Sequence, residues 1–170
     1  GSSRLMGKAD TKEQLESFLT EFRESANEIL IESLVRGPEF TCGVIDYPDG
    51  TTKALPPVEI RPKIGTFFDY EAKYADGGSE ELVPAPRPEE LLRRIQDASL
   101  KAHKVIGCQC VSRTDMIYMN DKLHVLETNT LPGLTPASLL PKSFKAIGVN
   151  YPSMLDILLE SALNKRNNFK

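Results

Sequence analysis

The sequence predicts an α+β domain in which helices flank a mostly antiparallel sheet. Short strand-like segments follow one another across tight turns, which is typical of antiparallel hairpins. Segments with apolar residues at helical spacing alternate with those hairpins. The chain has 170 residues, of which 40% are hydrophobic. That is enough for one core and predicts a single domain with at most a modest subdomain.

Composition argues against several classes of function. Lys and Arg number 21 against 24 Asp and Glu, and the net charge of -3 does not suit a nucleic-acid or anionic-membrane binder. No apolar run approaches the roughly 18 residues that a membrane helix needs. The first residues lack the apolar core of a signal peptide. Three cysteines, an odd number, predict free thiols and a cytoplasmic protein.

The first predicted element is a helix over residues 10–28. Apolar side chains recur there on one face, and Asp10 can cap the first turn with Glu13 completing a capping-box-like pair. The following residues, 29–35, are apolar and β-prone, so they predict a strand. Gly37 and the proline after it end that segment.

The next predicted elements form a hairpin. Residues 39–46 are a predicted strand, and the Pro-Asp-Gly turn at 48–50 predicts that residues 52–60 pair back onto it. Pro56-Pro57 interrupts the returning arm. Proline cannot donate a hydrogen bond to the ladder, so this pair indicates an edge position or a bulge.

Residues 62–88 form the longest irregular stretch of the chain. Loops of this length in a compact domain are usually functional lids or disordered, and the four aromatic residues here disfavour disorder. Pro88 then suits the first turn of a helix with one apolar face, which Gly107 ends.

The last part of the chain predicts a second hairpin and two helices. Residues 108–119 and 123–129 are strands joined by a short turn. Helices follow near 138–147 and 152–163, and the polar tail from residue 164 is expected to fray.

Polar residues on the second hairpin suggest a metal site. Arg113 and Asp115 lie two apart on one strand, so they share a face. Glu127 and Asn129 do the same on the next strand. Residues directly opposed across strands lie about 5 Å apart. Two carboxylates and an amide oxygen that close suit Mg²⁺ working with the phosphates of a nucleotide. The alternative is a solvated sheet face with a surface salt bridge.

The turn of this hairpin decides whether the carboxylates meet. A regular two-residue turn would place Asp115 opposite Leu126 and leave Glu127 on the other face. We therefore predict a three-residue turn or a β-bulge. Either one brings Asp115 opposite Glu127 and Arg113 opposite Asn129.

Two loops carry weaker signals. In the loop after the second hairpin, Gly133 allows close backbone approach to an anion, and Ser138 can cap the next helix. An ordinary strand-to-helix loop is the alternative. Lys73 lies among aromatic residues of the long loop and suits contact with phosphate when that loop closes. Its alternative is a solvated lysine.

A zinc site is a further alternative for the cysteines. Cys108 and Cys110 would need His103 or His124 as partners. Zinc ligand pairs usually have wider spacing, and cysteines on adjacent strands are commonly core thiols. We interpret both histidines as surface or cap residues.

Four motifs occur in the order found in a known family. Residues 127–135 match E-x-N-(T)-x-P-G-(M/L/F)-T, and residues 37–41 match G-x-E-(F/Y)-T. Residues 67–74 match an ω-loop motif, and 113–115 match R-x-D. With these motifs the chain resembles the D-alanine–D-alanine ligases, which are ATP-grasp carboxylate–amine ligases.

The resemblance implies a division of the chain. Residues 1–164 would be the C-terminal ATP-grasp domain, with a hinge near 29–40 and an ω-loop at about 62–86. Residues 165–170 would be a polar tail. The family's N-terminal part has no counterpart in these residues, so we expect the isolated chain to be inactive.

The resemblance also implies a role for each matched residue. The residues implied for ATP are Glu32, Ser33, Leu34 and Val35 in the hinge, Glu39 at the ribose, Phe67, Ile117 and Leu126 around adenine, and Lys73 at phosphate. Two Mg²⁺ ions, which Mn²⁺ can replace, would bind Asp115, Glu127 and Asn129. The residues implied for catalysis and substrate are Arg113 and the Gly133 N–H at the oxyanion, Lys73 at the substrate carboxylate, Ser138 and Leu139 at the second D-alanine, and Tyr74 with Ser2 closing the ω-loop.

The implied reaction joins two D-alanines for peptidoglycan synthesis. The carboxylate of one D-alanine attacks the γ-phosphate of ATP, and the amine of the second attacks the resulting acylphosphate. Substrates would be D-alanine and ATP, without nucleic acid or membrane, and the full-length enzyme could be a homodimer. The alternatives are a D-alanine–D-lactate ligase, another ATP-grasp ligase, or a non-catalytic nucleotide-binding fragment.

Overall fold

The computed structural model describes residues 6–62 and 79–167 of the chain, which falls into two units. The first unit comprises Gly1–Val35 with Pro62–Ser79, and its helix is α1, Lys12–Arg23. The second comprises Arg36–Arg61 with Glu80–Lys170 and contains the candidate site. Within the described ranges, no helix is long and apolar enough to cross a membrane.

Helix α1 is shorter than predicted and has a different cap. The hydroxyl of Thr11 accepts a hydrogen bond from Gln14 N at 3.2 Å, and Gln14 Oε1 accepts one from Asp10 N at 2.8 Å. Thr11 and Gln14 thus take the capping roles predicted for Asp10 and Glu13, because a Thr hydroxyl is itself a good N-cap. The helix ends at Arg23 rather than at residue 28.

The predicted strand at residues 29–35 is wrong. These residues have irregular backbone, and Leu30, Ile31 and Leu34 are exposed. β-propensity reports how well a side chain fits a half-buried pleated surface. Within residues 6–62 and 79–167 no strand pairs with this segment, so its apolar side chains meet no such surface there.

One antiparallel sheet organises the second unit. The strands are β1 Glu39–Asp46, β2 Thr52–Ala54, β3 Val58–Pro62, β4 Ser79–Leu82, β5 Val111–Met119 and β6 Lys122–Asn129. β1 pairs antiparallel with β2, β3 and β5, and β5 pairs antiparallel with β6. The order across the sheet is β4-β3-β1-β5-β6, with β2 also on β1.

The first hairpin forms as predicted, including its irregularity. Gly50 has a φ of 85° in the turn, a conformation that glycine adopts without strain. The proline pair divides the returning arm into β2 and β3, and both still pair with β1. Val44 pairs with Ala54 and Thr41 with Val58, so the returning arm has one residue more than β1. The predicted bulge is confirmed.

Two hydrophobic cores cover the two faces of the sheet. On one face, helix α2 (Glu89–Ile106) packs against β1 and β5. On the other, α3 (Leu139–Ala146) and α4 (Tyr151–Asn167) cover one end of the same strands. The first core contains Phe40, Cys42, Ala85, Leu91, Ile95 and Met116, and the second contains Ile45, Leu55, Val111, Leu140, Phe144 and Met154. Helix α2 has the predicted limits, with Gly107 left-handed at φ 74°.

Two predictions about secondary structure need correction, one for the long irregular stretch and one for the end of the last helix. β4 is a short strand inside the stretch predicted to be irregular. Its polar sequence, Ser-Glu-Glu-Leu, is typical of an edge strand but has no apolar alternation to reveal it. Helix α4 continues to Asn167 rather than ending at residue 163. No Gly or Pro stops it, and Ala, Leu, Lys and Arg all favour helix there.

Glu59 on β3 forms a buried ion-pair cluster with two arginines. The side chain is 2% exposed, and Arg87 and Arg61 donate hydrogen bonds to its carboxylate at 2.6 to 2.9 Å. Burial would raise the pKa of Glu59, but the hydrogen bonds and charges of both arginines outweigh it and hold the pKa below its ordinary value. The carboxylate therefore stabilises the fold above its unfolded pKa, and this contribution is lost as the pH falls through its folded pKa.

We expect Glu59→Gln to destabilise the fold at pH 7 by about 2 kcal/mol, because it removes the charge from a buried carboxylate that accepts hydrogen bonds from two arginines. The difference from wild type should shrink as the pH falls below about 4. Thermal unfolding between pH 7 and pH 3 measures it, with Glu90→Gln on the exposed start of α2 as the control. A difference that stays constant across this range would contradict the linkage.

Candidate active site

The β5–β6 hairpin closes with a two-residue turn. Asn120 and Asp121 have φ angles of 50° and 59°, the left-handed values that a type I′ turn needs at both central positions. Next to the turn, Met119 pairs with Lys122, and this register continues to Met116 with Val125. If this register continued along the hairpin, the carboxylates of Asp115 and Glu127 would lie on opposite faces of the sheet.

A β-bulge then corrects the register. The pairing shifts between Asp115 and Met116, and Leu126 has no partner in β5. Beyond the bulge, Asp115 pairs with Glu127, and Arg113 pairs with Asn129. The geometric prediction is confirmed through the bulge, not through the longer turn.

Three rows of paired residues cross β1, β5 and β6 on the site face. Paired residues point to the same side of a sheet, and residues two apart on a strand share that side. The rows are Gly43, Arg113 and Asn129; Thr41, Asp115 and Glu127; and Glu39, Ile117 and His124. The predicted metal residues, Arg113 and two of the residues predicted for ATP therefore lie on one face of three adjacent strands.

Gly43 marks the limit of the open part of this face. A Cβ at this position would lie 2.6 Å from Leu140 Cδ1 and 3.0 Å from Leu55 Cδ1. Core side chains beneath α3 therefore lie directly against Gly43, the residue that pairs with Arg113. The candidate site occupies the neighbouring part of the face, away from the α3–α4 core.

The Asp115 carboxylate is held by two different donors. Thr41 Oγ1 donates to Oδ1 at 2.5 Å. Arg113 donates from Nε to Oδ1 and from Nη2 to Oδ2, both at 3.1 Å. The side chains of Arg113 and Asp115 are 17% and 24% exposed, so the pair is reachable from solvent. A cation that binds Asp115 would compete with the guanidinium of Arg113.

Glu127 and Asn129 complete the donor set. Glu127 is exposed on β6, while Asn129 Oδ1 accepts a hydrogen bond from Leu131 N at 3.1 Å. Two carboxylates and an amide oxygen fit Mg²⁺ or Mn²⁺, which would take further oxygens from phosphate and water. Among the described residues, no group of three or more His, Cys, Asp or Glu could hold a metal by itself. The candidate therefore depends on oxygens from a ligand.

The loop after β6 brings Gly133 next to Ser138. A Cβ on Gly133 would lie 2.9 Å from Ser138 Oγ, so a larger residue would require the Ser138 hydroxyl to move. Ser138 Oγ and Thr135 Oγ1 are hydrogen-bonded at 2.8 Å. Tyr151 donates to Leu134 O at 2.7 Å, which ties the loop to α4. The backbone of Gly133 thus lies next to the residue that precedes α3.

Of the remaining predicted residues, some lie on or beside the site face, some lie in the first unit, and some lie outside the described residues. Glu39 pairs with Ile117, and Leu126 at the bulge is 55% exposed. The hinge residues Glu32, Ser33, Leu34 and Val35 lie on irregular backbone in the first unit. Ser2, Phe67, Lys73 and Tyr74 lie outside the described residues, as does most of the predicted ω-loop.

His103 is buried, which corrects its interpretation as a surface residue. It is 2% exposed, with Nδ1 2.8 Å from Ser112 Oγ and Nε2 3.3 Å from Asp46 Oδ1. The buried face of α2 follows an exact four-residue step through Leu91, Ile95, Ser99 and His103. Two of those four are polar, so an apolar pattern does not reveal the face.

The cysteines are free thiols rather than zinc ligands around His103. Both ring nitrogens of His103 lie against Ser112 and Asp46, not against Cys108 or Cys110. Burial raises the pKa of Cys42 to about 12, which keeps that thiol protonated and unreactive at neutral pH.

Comparison with known proteins places this geometry in a family. The family described as D-ala D-ala ligase C-terminus matches residues 1–160. The chain belongs to that family. It is 41% identical over 167 residues to the D-alanine–D-alanine ligase of Leptospira biflexa, covering 96% of this chain and 48% of that protein. It is 43% identical over 161 residues to the Nitratidesulfovibrio vulgaris enzyme, covering 94% and 52%. The chain thus spans about half the length of these relatives.

Solved structures of two D-alanine–D-alanine ligases and of a D-Ala:D-Ser ligase share the fold. A Bacillus anthracis D-alanine–D-alanine ligase complexed with ATP aligns with a TM-score of 0.78 and 36% identity, covering 94% of this chain and 50% of that one. The Coxiella burnetii enzyme aligns at 0.82 and 27%, covering 99% and 44%. The VanG D-Ala:D-Ser ligase of Enterococcus faecalis aligns at 0.74 and 33%, covering 88% and 43%. The predicted α+β ATP-grasp fold class is confirmed.

Proposed function

We propose that this chain carries out part of the ATP-dependent ligation of two D-alanines to D-alanyl-D-alanine for peptidoglycan synthesis. The observation that carries the proposal is the bulge, which places Arg113, Asp115 and Glu127 on one face. The relatives at 41% and 43% identity are D-alanine–D-alanine ligases, and a structural neighbour binds ATP. The names of these relatives favour D-alanyl-D-alanine formation over the alternative ATP-grasp chemistries.

Asp115, Glu127 and Asn129 would hold two Mg²⁺ ions, or Mn²⁺ in their place. The ions would neutralise phosphate charge and orient the ATP phosphates for transfer. Glu39 would bind the ribose and Ile117 would pack against adenine; they are paired with each other in the row beside Asp115. The other nucleotide contacts proposed are Glu32, Ser33, Leu34, Val35, Phe67, Leu126 and, at phosphate, Lys73.

The chemistry proposed has two steps. The carboxylate of the first D-alanine attacks the γ-phosphorus of ATP, which gives an acylphosphate and ADP. The amine of the second D-alanine attacks the acyl carbon, loses a proton, and phosphate leaves from the tetrahedral intermediate. Arg113 and the Gly133 N–H would stabilise the negative oxygen of that intermediate.

Substrate positioning falls to the loop after β6 and to the ω-loop. The first turn of α3, at Ser138 and Leu139, would bind the carboxylate of the second D-alanine, since helix N-termini favour anions. Tyr74 and Ser2 would close the ω-loop, and Lys73 would contact substrate. We place the reaction in the cytoplasm, with ATP and D-alanine as ligands and a homodimer as the full-length form.

The test compares this chain with one extended at its N-terminus by the corresponding region of the Leptospira biflexa enzyme. The extended protein should release phosphate in a D-alanine-dependent way at about 1 s⁻¹ or faster, within the usual enzyme range. The 170-residue chain should bind Mg·ATP weakly but not ligate, because phosphates must be neutralised from both sides of the cleft. D-lactate or D-serine in place of the second D-alanine measures the specificity.

Each outcome of this comparison is informative. Ligation by the 170-residue chain at enzymatic rates would show that this half is self-sufficient. An extended protein that binds Mg·ATP but releases no phosphate with D-alanine would contradict the proposed reaction. Preference for D-lactate or D-serine would assign a different second substrate to the same site.

A further inference from the structure

Thr41 lies directly opposite Asp115 on the neighbouring strand and is 1% exposed. Its hydroxyl donates to Asp115 Oδ1 at 2.5 Å. We propose that Thr41 is a positioning residue, which holds the carboxylate of Asp115 in the orientation that binds metal. This inference rests on the proposed function, since it concerns the metal site of that reaction.

The two donors to Asp115 differ in what they can do during catalysis. Arg113 is a cation on a long, partly exposed side chain, and it competes with a metal ion for the same oxygens. Thr41 is neutral, buried and attached to the central strand of the sheet. When a cation displaces the guanidinium, Thr41 remains as the group that fixes the carboxylate.

A hydrogen bond from Thr41 leaves Asp115 free to bind a cation. An ionised carboxylate has about four lone-pair sites, so one donor occupies only a fraction of its capacity. The branched side chain of threonine is stiff at χ1, which limits the directions that its hydroxyl can take. The strand pairing sets the distance between the two backbones. Together these constraints place Oδ1 before metal arrives and leave Oδ2 unobstructed once Arg113 moves.

A second threonine pair provides a matched control. Thr114 is the residue before Asp115 and points to the opposite face of β5. It is fully buried, and its hydroxyl is 3.1 Å from that of Thr128. Replacing Thr114 therefore removes a buried hydroxyl from the same strand without touching Asp115.

The experiment measures binding of Mn·ATP to the 170-residue chain from the Mn²⁺ electron paramagnetic resonance spectrum, because the site needs oxygens from a ligand. The component lost in Asp115→Asn defines the site. Thr41→Val should weaken that component by about 10-fold, the lower end of the cost of losing a residue that hydrogen-bonds to a metal ligand. Thr41→Ser, which keeps the hydroxyl, should stay within about twofold of wild type, as should Thr114→Val.

The outcomes separate the inference from the function that it rests on. Wild-type affinity in Thr41→Val overturns the positioning role, and so does equal weakening in Thr114→Val, which would indicate a general packing effect. Absence of any Asp115-dependent Mn²⁺ binding in wild type overturns the proposed metal site itself. Circular dichroism verifies folding, and Thr41→Ala replaces the valine variant if valine disrupts it.

Discussion

Replacing Arg113 with methionine should lower D-alanine-dependent phosphate release of the extended protein by about 10²–10³-fold, the usual cost of losing one oxyanion donor. Methionine keeps much of the length and apolar volume but removes the charge and all five donors. Binding of Mg·ATP should persist, because Arg113 is proposed to act on the reacting carbonyl and not on the nucleotide. Steady-state kinetics and a separate Mg·ATP titration measure the two effects.

The same substitution should not weaken metal binding. The rate of phosphate release and the metal affinity therefore respond differently to the loss of Arg113, and the two can be measured separately. The guanidinium of Arg113 contacts both oxygens of Asp115, so a cation has to displace it. Without it, the Asp115 carboxylate keeps its hydrogen bond from Thr41 and presents its full charge to the ion. Mn²⁺ affinity should therefore hold or rise while the rate falls.

Arg93→Met is the control for this prediction. Arg93 forms an exposed pair with Glu89 on α2, with 3.6 Å between Nη2 and Oε1, and should affect neither measurement. A parallel fall in rate and metal affinity in Arg113→Met would mean that Arg113 serves to hold Asp115, not to stabilise the oxyanion.

The β5–β6 hairpin shows how far the sequence predicts the site. Side chains alternate between the two faces of a strand, so Asp115 and Glu127 share a face only if the regular two-residue hairpin register is interrupted. The sequence correctly predicted that interruption. A longer turn and a bulge restore the same register, so the sequence cannot choose between them. The turn residues Asn120 and Asp121 tolerate positive φ, which allowed the two-residue turn and moved the irregularity to Leu126.

Contacts between segments that are distant in the chain could not be predicted from the sequence, for a different reason. Thr41 meets Asp115 because β1 lies between β3 and β5, and no local pattern states which strands are neighbours. His103 was misplaced because the buried face of α2 is partly polar at Ser99. Residues 29–35 were misassigned because β-propensity reports the fit to a paired, half-buried surface, and no strand in the described part of the chain pairs with them.

Asp115→Asn and Glu127→Gln should each abolish the Mg²⁺ dependence of ATP binding by this chain. Each change keeps the size of the side chain and removes a negative charge that Mg²⁺ requires from its few protein ligands. Loss of a direct ligand should weaken the metal-dependent component by more than about 100-fold, beyond the range seen for supporting residues. ATP titrations at fixed protein, with and without Mg²⁺, should then give the same affinity.

The Asp115 variant should remain folded, which makes the result interpretable. An asparagine still offers Oδ1 to the Thr41 hydroxyl and to Arg113 Nε, so two of the three hydrogen bonds can persist and only the one from Arg113 Nη2 to Oδ2 is lost. Glu127 is exposed on β6, and its replacement should cost little stability. Thermal unfolding of both variants should stay close to wild type.

Asp121→Asn is the matched control, because it removes the same charge from the same hairpin. Its side chain is 81% exposed at the turn, where it pairs with Arg94 on α2 and accepts a hydrogen bond from Tyr118. If the metal site depends on direct ligands, Mg²⁺ dependence should survive in this variant. An equal loss in Asp121→Asn would mean that the general negative field of the hairpin attracts the ion. Retained Mg²⁺ dependence in Asp115→Asn would remove Asp115 from the metal site, and with it the functional significance of the bulge.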